Sequence, residues 1–304
     1  MPPLKPSFFY TAYGLTIKSE LALPELRSIQ PVSNANITIS PAEPSDAFNR
    51  ENLNRNYWRA TAHGFYMHIE DIGTDFHVTN GNRIIIETAA DTSDFNIHLY
   101  LNSCMGVLVQ QKNILPLHAS CISKGTECII ISGQSGSGKS TLAMALNKKG
   151  YPLLSDDICA LHFSQENPPF VYPSIPQIKI GADSANALKI NTSNLNSTPS
   201  KHIVPIDNRS AERRHIIKAI FSIEQSDNDQ FKIRDLHGSQ KMAILIKNTY
   251  APTELIANLG KSKIHFDHCS ILAKLYKVKQ IYRTSSLNNL PDLISIIENE
   301  FSNE

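Results

Sequence analysis

The residues between Gly133 and Thr141 carry the clearest chemistry in the chain. They fit the phosphate-loop pattern G-x-x-x-x-G-K-[ST]. Glycines let the backbone turn its N–H groups toward a phosphate, and the N-terminus of a following helix adds positive charge. Lys139 can reach the β- and γ-phosphates, and the Ser140 hydroxyl can bind Mg²⁺. We therefore predict that ATP and Mg²⁺ bind here, on Gly133, Gln134, Ser135, Gly136, Ser137, Gly138, Lys139, Ser140 and Thr141.

Two adjacent carboxylates, Asp156 and Asp157, interrupt the apolar run Tyr151–Leu161. Carboxylates are rarely buried unless they are paired or bind a metal. In phosphoryl transfer, one such carboxylate would support Mg²⁺ and the other would face the attacking hydroxyl. The alternative is a solvated turn with two ordinary aspartates, which the apolar residues on both sides disfavour.

The loop needs a strand before it and a helix after it. Residues 128–131 are β-rich and apolar, and residues 142–146 favour a helix that Gly150 would end. Two strands, Ile114–Ser123 and Glu127–Ile131, are predicted to precede the loop. The expected unit is therefore strand, phosphate loop and helix.

The first 90 residues alternate between apolar and polar side chains in short runs. Such runs predict a small antiparallel β-domain, with a hairpin turn at Thr79–Asn82. The predicted strands are Phe8–Ile17, Asn36–Ser40, Trp58–Glu70, Asp75–Val78 and Arg83–Thr88, with a loop over residues 41–56. A helix over Asp91–Lys112, capped by Asp91 or Thr92, is predicted to link this domain to the rest. The predicted boundaries are 1–90, 91–113 for the linking helix, and 114–304.

The remaining chain is predicted to complete the second domain. Prolines make residues 165–180 non-helical, and Tyr172–Ile180 could line the site. The polar residues 190–210 are either a lid or a disordered excursion. The other predicted elements are a hairpin of Ile216–Ile223 with Phe231–Leu236, helices Ser239–Lys247, Ser270–Tyr276 and Asp292–Glu300, and a strand Val278–Tyr282.

Several charged residues could contribute to the chemistry, but their spacing singles out none of them. The candidates for neutralising a transferring phosphoryl group are Arg209, Arg213, Arg214 and Lys241, with a solvated surface as the alternative. His265 and His268 could share one helix face. A zinc site among His63, His68 and His77 is less favoured than ordinary surface or half-buried histidines.

Composition excludes several classes of protein. The chain has 304 residues, 41% of them hydrophobic, and a formal net charge of +1. That charge gives no reason to expect nucleic acid or an anionic membrane as partner. Five cysteines without a C-x-x-C pair disfavour a disulfide framework or a zinc ribbon. We expect a soluble cytoplasmic protein, because neither a signal sequence nor a long apolar run is present.

His118, the phosphate loop and the Asp156-Asp157 pair together resemble the C-terminal domain of HPr kinase/phosphorylase, a bacterial serine kinase family built on a phosphate-loop fold. The family has a histidine before a loop that reads G-x-S-G-x-G-K-S, then an Asp-Asp strand. The resemblance covers residues 114–161 well. It implies an α/β fold with an HPr-kinase-like P-loop domain at the C-terminus and a smaller β-rich domain at the N-terminus.

The resemblance also implies roles for individual residues. Lys139 would hold the phosphates, and Ser140 and Asp156 would hold Mg²⁺. Asp157 would accept the proton of a substrate serine, and His118 would support the carboxylate and the phosphoryl group. The implied catalytic set is His118, Lys139, Asp156 and Asp157, and the relatives' hexamers make a homo-oligomer plausible.

Two departures bear on the substrate. The family's glycine-rich segment after the Asp-Asp strand is replaced by Pro173–Ile180, which removes its usual Glu ligand. The opening Tyr13–Leu26 is similar to HPr-kinase-related proteins that phosphorylate the C-terminal serine of lasso-peptide precursors. We therefore expect a serine kinase acting on a peptide or small protein. The alternatives are an HPr(Ser) kinase/phosphorylase and a nucleotide-binding scaffold without catalysis.

Overall fold

The chain is an α/β protein with two compact units. The computed structural model describes residues 6–43, 57–89, 91, 95–207, 213–226, 231–284 and 287–302. One unit comprises Met1–Ile114 and Ala251–His265, and the other comprises Leu115–Tyr250 and Phe266–Glu304. This division differs from the predicted ranges 1–90, 91–113 and 114–304, because it groups the linking helix with the first sheet and assigns residues 251–265 to the first unit.

The first unit is built on one sheet of eight strands. Its strands run in the spatial order β3-β1-β2-β4-β8-β7-β6-β5, and the first helix, α1, packs against β7. The bounds are β1 (Phe8–Ala12), β2 (Leu15–Ser19), β3 (Arg27–Ser28), β4 (Ile37–Ala42), β5 (Tyr57–Thr61), β6 (Gly64–Ile69), β7 (Thr74–Thr79), β8 (Arg83–Thr88) and α1 (Phe95–Gln111).

Turn residues explain where this sheet departs from the predicted strands. The predicted strand Phe8–Ile17 is two strands, because Tyr13 and Gly14 take positive φ values of 57° and 72° and form a two-residue hairpin turn. Trp58–Glu70 likewise divides into β5 and β6. The predicted hairpin between β7 and β8 is confirmed.

The prediction of a purely antiparallel domain is wrong at β4. This strand pairs in parallel with both β2 and β8. Alternation of side chains sets the buried face of a strand but leaves its direction open, and the long connections on both sides of β4 permit parallel pairing. Of the predicted loop 41–56, the first two residues extend β4 and residues 44–56 lie outside the described ranges. The predicted cap Thr92 also lies outside them.

The remaining elements follow in chain order. They are β9 (Leu115–Lys124), β10 (Glu127–Gly133), α2 (Lys139–Lys148), β11 (Leu153–Ser155), β12 (Ile158–His162), β13 (Phe170–Val171), β14 (Gln177–Ile180), α3 (Ala182–Ala187), β15 (His202–Pro205), β16 (His215–Gln225), β17 (Lys232–Asp235), α4 (Ser239–Lys247), α5 (Thr253–Asn258), α6 (Ser262–Leu275), β18 (Lys277–Arg283) and α7 (Leu290–Ser302).

The sheet of the second unit places the phosphate loop at the end of an inner strand. Strand β10 lies between β9, which is antiparallel to it, and β16, which is parallel. Strand β18 continues the sheet beside β16, and β17 forms its edge. Strands β14 and β15 form a separate two-stranded ribbon.

The apolar run before the loop is buried on both faces of this sheet. Cys128 and Ile130 contribute to a core with Leu245 of α4 and Leu272 of α6. Ile129 and Ile131 point the other way, into a core that α2 and α7 cover. A parallel strand with helices on both sides needs such an uninterrupted apolar sequence.

Most predicted elements of the second unit are confirmed. They include the strands before the loop, the helices α2, α4 and α7, and β18. The predicted hairpin of Ile216–Ile223 with Phe231–Leu236 is wrong, because β18 lies between β16 and β17 and pairs with both. The predicted helix Ser270–Tyr276 is the second half of the longer α6.

No helix in the described ranges is long and apolar enough to cross a membrane.

Candidate active site

The phosphate loop joins β10 to α2 and is held closely against the neighbouring strands. Gly133 and Gly138 have φ values of 148° and 98°, which lie outside the range that other residues favour. A Cβ at Gly133 would collide with the carbonyl oxygen of Ile223, and a Cβ at Gly138 would collide with the guanidinium of Arg283. Both glycines are therefore needed for this backbone path.

Polar groups inside the loop provide a place for an anion. Lys139 is buried and its Nζ donates a hydrogen bond of 3.0 Å to the Gln134 carbonyl oxygen. The Ser137 Oγ atom is buried and has no hydrogen-bond partner among the described residues. An unsatisfied hydroxyl and a lysine within a glycine-rich loop fit a polyphosphate.

Burial lowers the pKa of Lys139 to about 8, although Asp156 and Asp157 oppose this shift. A bound phosphate would oppose it further, because an opposite charge stabilises the ammonium form. Thr141 is also predicted to bind the nucleotide. In the structure, its hydroxyl lies within hydrogen-bond distance of another side chain, 2.8 Å from the Ser184 Oγ of α3.

Asp156 lies in the break between β11 and β12, where it joins three elements. Its Oδ1 accepts hydrogen bonds from the hydroxyls of Ser120 on β9, at 2.6 Å, and Ser140 on α2, at 2.9 Å. Its Oδ2 accepts one from the backbone N–H of Lys179, at 2.9 Å. Burial raises the pKa of Asp156, and these three hydrogen bonds oppose the rise.

The Ser140 hydroxyl and the Asp156 carboxylate fit a magnesium ion. Both are hard oxygen donors, and Mg²⁺ in nucleotide sites takes one or two protein ligands together with phosphate oxygens and water. Among the described residues, no group of three or more His, Cys, Asp or Glu side chains has a metal-binding arrangement. The Ser140 and Asp156 pair suits an ion that takes its remaining ligands from a nucleotide and water.

Asp157 has a different environment from its neighbour. Its backbone takes a positive φ of 71°, a conformation that residues other than glycine rarely adopt. Its Oδ2 accepts a hydrogen bond of 2.9 Å from Lys179 Nζ, and its Oδ1 lies 3.6 Å from His118 Nδ1. Burial alone would raise the pKa of Asp157, but the charge and hydrogen bond of Lys179, aided by His118, outweigh it and lower the pKa.

The two carboxylates therefore have opposite pKa shifts. Adjacent acids whose environments separate their pKa values commonly have different roles in one reaction. Asp156 is tied to the phosphate loop through Ser140, whereas Asp157 faces Lys179 and His118. The two neighbouring carboxylates therefore contact different parts of the site.

His118 is held on β9 by backbone and ring contacts. Its backbone N–H donates to the Asn248 carbonyl oxygen at 2.8 Å, and its ring stacks on Tyr250 with 6.2 Å between centroids. Burial lowers the pKa of His118 to about 4, with Lys139 contributing and Asp157 opposing. The imidazole is therefore neutral at physiological pH.

The structure brings together the predicted residues His118, Lys139, Ser140, Asp156 and Asp157. The stretch Tyr172–Ile180, predicted as a possible lining of the site, contributes Lys179, although the sequence did not single out that residue. Sequence reasoning missed four further residues at the same place: Ser120, Lys201, Tyr250 and Arg283. The alternation of polar and apolar residues in Gln177–Ile180 is a signal that the sequence offered. It predicts a strand whose two isoleucines are buried on one face, with Lys179 on the other face. Its contact with the aspartates depends on the position of the β14–β15 ribbon, which the local sequence does not reveal.

Two of the four cations proposed to neutralise a phosphoryl group have other contacts, and Arg213 is exposed. Arg214 lies over the Phe170 ring, and Lys241 Nζ donates to the carbonyl oxygens of Ala273 and Tyr276. Arg209 lies outside the described residues. Arg283 is the arginine at the loop, where its Nη1 donates to the Ser137 carbonyl oxygen at 3.4 Å.

The other histidines that the sequence analysis considered as possible ligands contact protein groups or are exposed. In the first unit, His68 Nδ1 lies 2.6 Å from Asp75 and His77 Nε2 lies 3.3 Å from Glu87, while His63 is exposed. Both His265 and His268 are buried, and the His268 ring stacks on Phe163 at 3.8 Å.

A cavity of about 210 Å³ opens beside the phosphate loop. The loop forms one wall, and the ends of β16 and α4 form the others. Its polar lining includes Gln134, Ser137, Glu224, Gln225, Lys247 and Asn248. Because the Asn248 carbonyl oxygen also binds the backbone of His118, this wall is connected to the catalytic candidates.

No family model and no curated protein matches this chain. Among solved structures, the chain is similar to the HPr(Ser) kinase/phosphatase from Coxiella burnetii, with 16% sequence identity and a TM-score of 0.32. The match covers 62% of this chain and 96% of that chain. At this level of similarity, activity has to be argued from the geometry of the site itself.

Proposed function

We propose that this protein is an ATP- and Mg²⁺-dependent kinase that phosphorylates a serine hydroxyl of a peptide or small protein. The observation that carries the proposal is that Asp156 and Asp157 contact different residues. The first is hydrogen-bonded to Ser140 of the phosphate loop, and the second lies beside Lys179 and His118. In kinases, a carboxylate at the metal and a second one at the acceptor hydroxyl support phosphoryl transfer.

The phosphate loop accounts for nucleotide binding. Its backbone N–H groups and the N-terminus of α2 would surround the phosphates, and Lys139 would leave the Gln134 carbonyl oxygen to contact them. Ser140 and Asp156 would hold Mg²⁺, whose charge offsets that of the β- and γ-phosphate oxygens.

Asp157 is the candidate base for the acceptor. Its low pKa keeps it ionised, so it can orient the serine hydroxyl and take its proton as the serine oxygen bonds to the γ-phosphorus. The bond from that phosphorus to the bridging oxygen of ADP breaks in the same step. Neutral His118 lies beside Asp157 and would hold the carboxylate in place.

The acceptor is inferred from the opening of the chain. The similarity of Tyr13–Leu26 to lasso-peptide precursor kinases supports the C-terminal serine of such a precursor. HPr is the alternative acceptor, with the phosphorylase reaction as its reverse. A cytoplasmic homo-oligomer with no nucleic-acid or membrane partner is consistent with this role.

The test is intact-mass spectrometry of acceptors incubated with the protein and Mg²⁺-ATP. A precursor peptide that ends in serine should gain the mass of one phosphoryl group, and the same peptide ending in alanine should not. A gain on HPr, reversed by phosphate or pyrophosphate, would instead favour the kinase/phosphorylase. ATP binding without a mass gain on any acceptor would favour a nucleotide-binding scaffold.

A further inference from the structure

Lys179 contacts both carboxylates of the site through two different groups. Its backbone N–H donates to Asp156 Oδ2 and its Nζ donates to Asp157 Oδ2, each at 2.9 Å. The neighbouring residues Ile178 and Ile180 are buried in the core beneath, which fixes the strand in place. The position of the ammonium group is therefore set by the fold and is not that of a mobile surface lysine.

This contact bears on how many metal ions the site can hold. Two adjacent carboxylates beside a triphosphate are a ligand set that can bind two divalent cations. The Lys179 ammonium occupies one oxygen of Asp157 and places a positive charge at the position that a second cation would need. The other oxygen of Asp157 faces His118.

We propose that Lys179 is a positioning residue that substitutes for a second metal ion, so that the site holds one divalent cation at Asp156 and leaves Asp157 to the acceptor hydroxyl. This inference rests on the proposed function, because it assumes a nucleotide-bound ion at Ser140 and Asp156. Removing its charge should convert Asp157 into a metal ligand.

The test is the number of Mn²⁺ ions bound per chain, measured by electron paramagnetic resonance with a non-hydrolysable ATP analogue. We expect one ion in the wild type and two in Lys179→Met, with spin coupling between the two. The double variant Lys179→Met/Asp157→Asn should return to one ion. Lys179→Arg, which keeps the charge, should also bind one.

Lys218→Met is the matched control. Lys218 has a similar side-chain exposure, 19% against 17% for Lys179, and it also pairs with a carboxylate, Glu127 Oε2, at 3.1 Å. Glu127 is the first residue of β10, and the phosphate loop follows the last residue of that strand. The Lys218–Glu127 pair therefore lies roughly 20 Å from the phosphate loop. This variant should bind one ion and keep the wild-type transfer rate.

The outcomes separate the two proposals. Two ions in the wild type would overturn the role of Lys179 without any variant, even if Lys179→Met does not fold. One ion in both the wild type and a folded Lys179→Met would overturn it while leaving the kinase proposal intact. No ion in the wild type would overturn both, because the site at Ser140 and Asp156 would not exist.

Activity gives a second readout. Lys179→Met should lower kcat at least tenfold, because a second cation on Asp157 would take this carboxylate away from the acceptor hydroxyl. Lys179→Arg should recover most of kcat. A change in the KM for ATP alone would contradict the inference.

Discussion

The Ser140 hydroxyl donates a hydrogen bond of 2.9 Å to Oδ1 of Asp156, and so joins the first turn of the phosphate-loop helix to the break between two strands. The two residues are 16 positions apart in sequence and lie on different elements. Their contact places a hydroxyl and a carboxylate side by side where a nucleotide-bound ion would lie.

Ser140→Ala and Asp156→Asn should each remove the part of ATP affinity that depends on Mg²⁺. Since both residues would serve one ion, the double variant should be little worse than either single variant. Titration calorimetry with ATP, in the presence and absence of Mg²⁺, measures this. Ser123→Ala is the control, because that buried hydroxyl on β9 binds the Pro152 carbonyl oxygen instead. Additive losses would contradict a shared ion.

ATP affinity should fall as the pH rises above about 8. The pKa of Lys139 is lowered to about 8 by burial, so the free protein loses this charge above that pH. ATP binding then has to restore the proton, and the affinity should decrease by roughly tenfold per pH unit at high pH. Calorimetry in buffers of different ionisation enthalpy should detect proton uptake near pH 8, and Lys139→Met should abolish it. Binding without proton uptake would refute the lowered pKa.

His118 should make the folded protein less stable in acid. Its pKa is lowered from 6.5 to about 4, so the unfolded chain binds a proton more readily than the folded one between these values. The free energy of unfolding should therefore fall by about 1 to 3 kcal/mol from pH 7 to pH 4 on account of this residue. Urea unfolding at both pH values measures it. Between pH 7 and pH 4, His118→Gln should lose less unfolding free energy than the wild type. The control His63→Gln, at an exposed histidine, should lose as much as the wild type. Equal losses in all three proteins would contradict burial of a neutral imidazole.

Gly133→Ala should abolish ATP binding, whereas Gly150→Ala should not. Both glycines have positive φ values, 148° and 98°, so each substitution introduces backbone strain of about 1 to 3 kcal/mol. A Cβ at Gly150 has open space, but one at Gly133 collides with the Ile223 carbonyl oxygen and so would displace the loop. Thermal unfolding and ATP titration of both variants test this. Normal ATP binding by Gly133→Ala would show that the loop tolerates a shift.

The parts of the site that the sequence predicts are those whose structure depends on residues close together in the chain. The strand, loop and helix around Gly133–Lys148 follow from glycine spacing and apolar periodicity within one stretch. The importance of Asp156 and Asp157 follows from the cost of placing carboxylates in an apolar run. These inferences need no knowledge of distant residues.

The rest depends on contacts between distant parts of the chain. Lys179 reaches the aspartates from the β14–β15 ribbon, and Tyr250 reaches His118 from the end of α4. The insertion of β18 between β16 and β17 likewise depends on pairing with a strand about 50 residues later. Neighbouring apolar strands favour a hairpin by proximity, and here non-local pairing overrides that preference.

The central claim is that Asp157 receives the acceptor proton while the phosphate loop holds the nucleotide. The most direct measurement compares wild type, Asp157→Asn and the exposed control Asp235→Asn in an intact-mass assay on a serine-ended precursor peptide and on HPr, with ATP affinity measured in parallel. We expect Asp157→Asn to lower the rate of phosphoryl transfer by about 10² to 10⁴-fold with ATP affinity within a few fold of wild type, and Asp235→Asn to behave as wild type. Transfer that persists in Asp157→Asn at the wild-type rate would contradict the account.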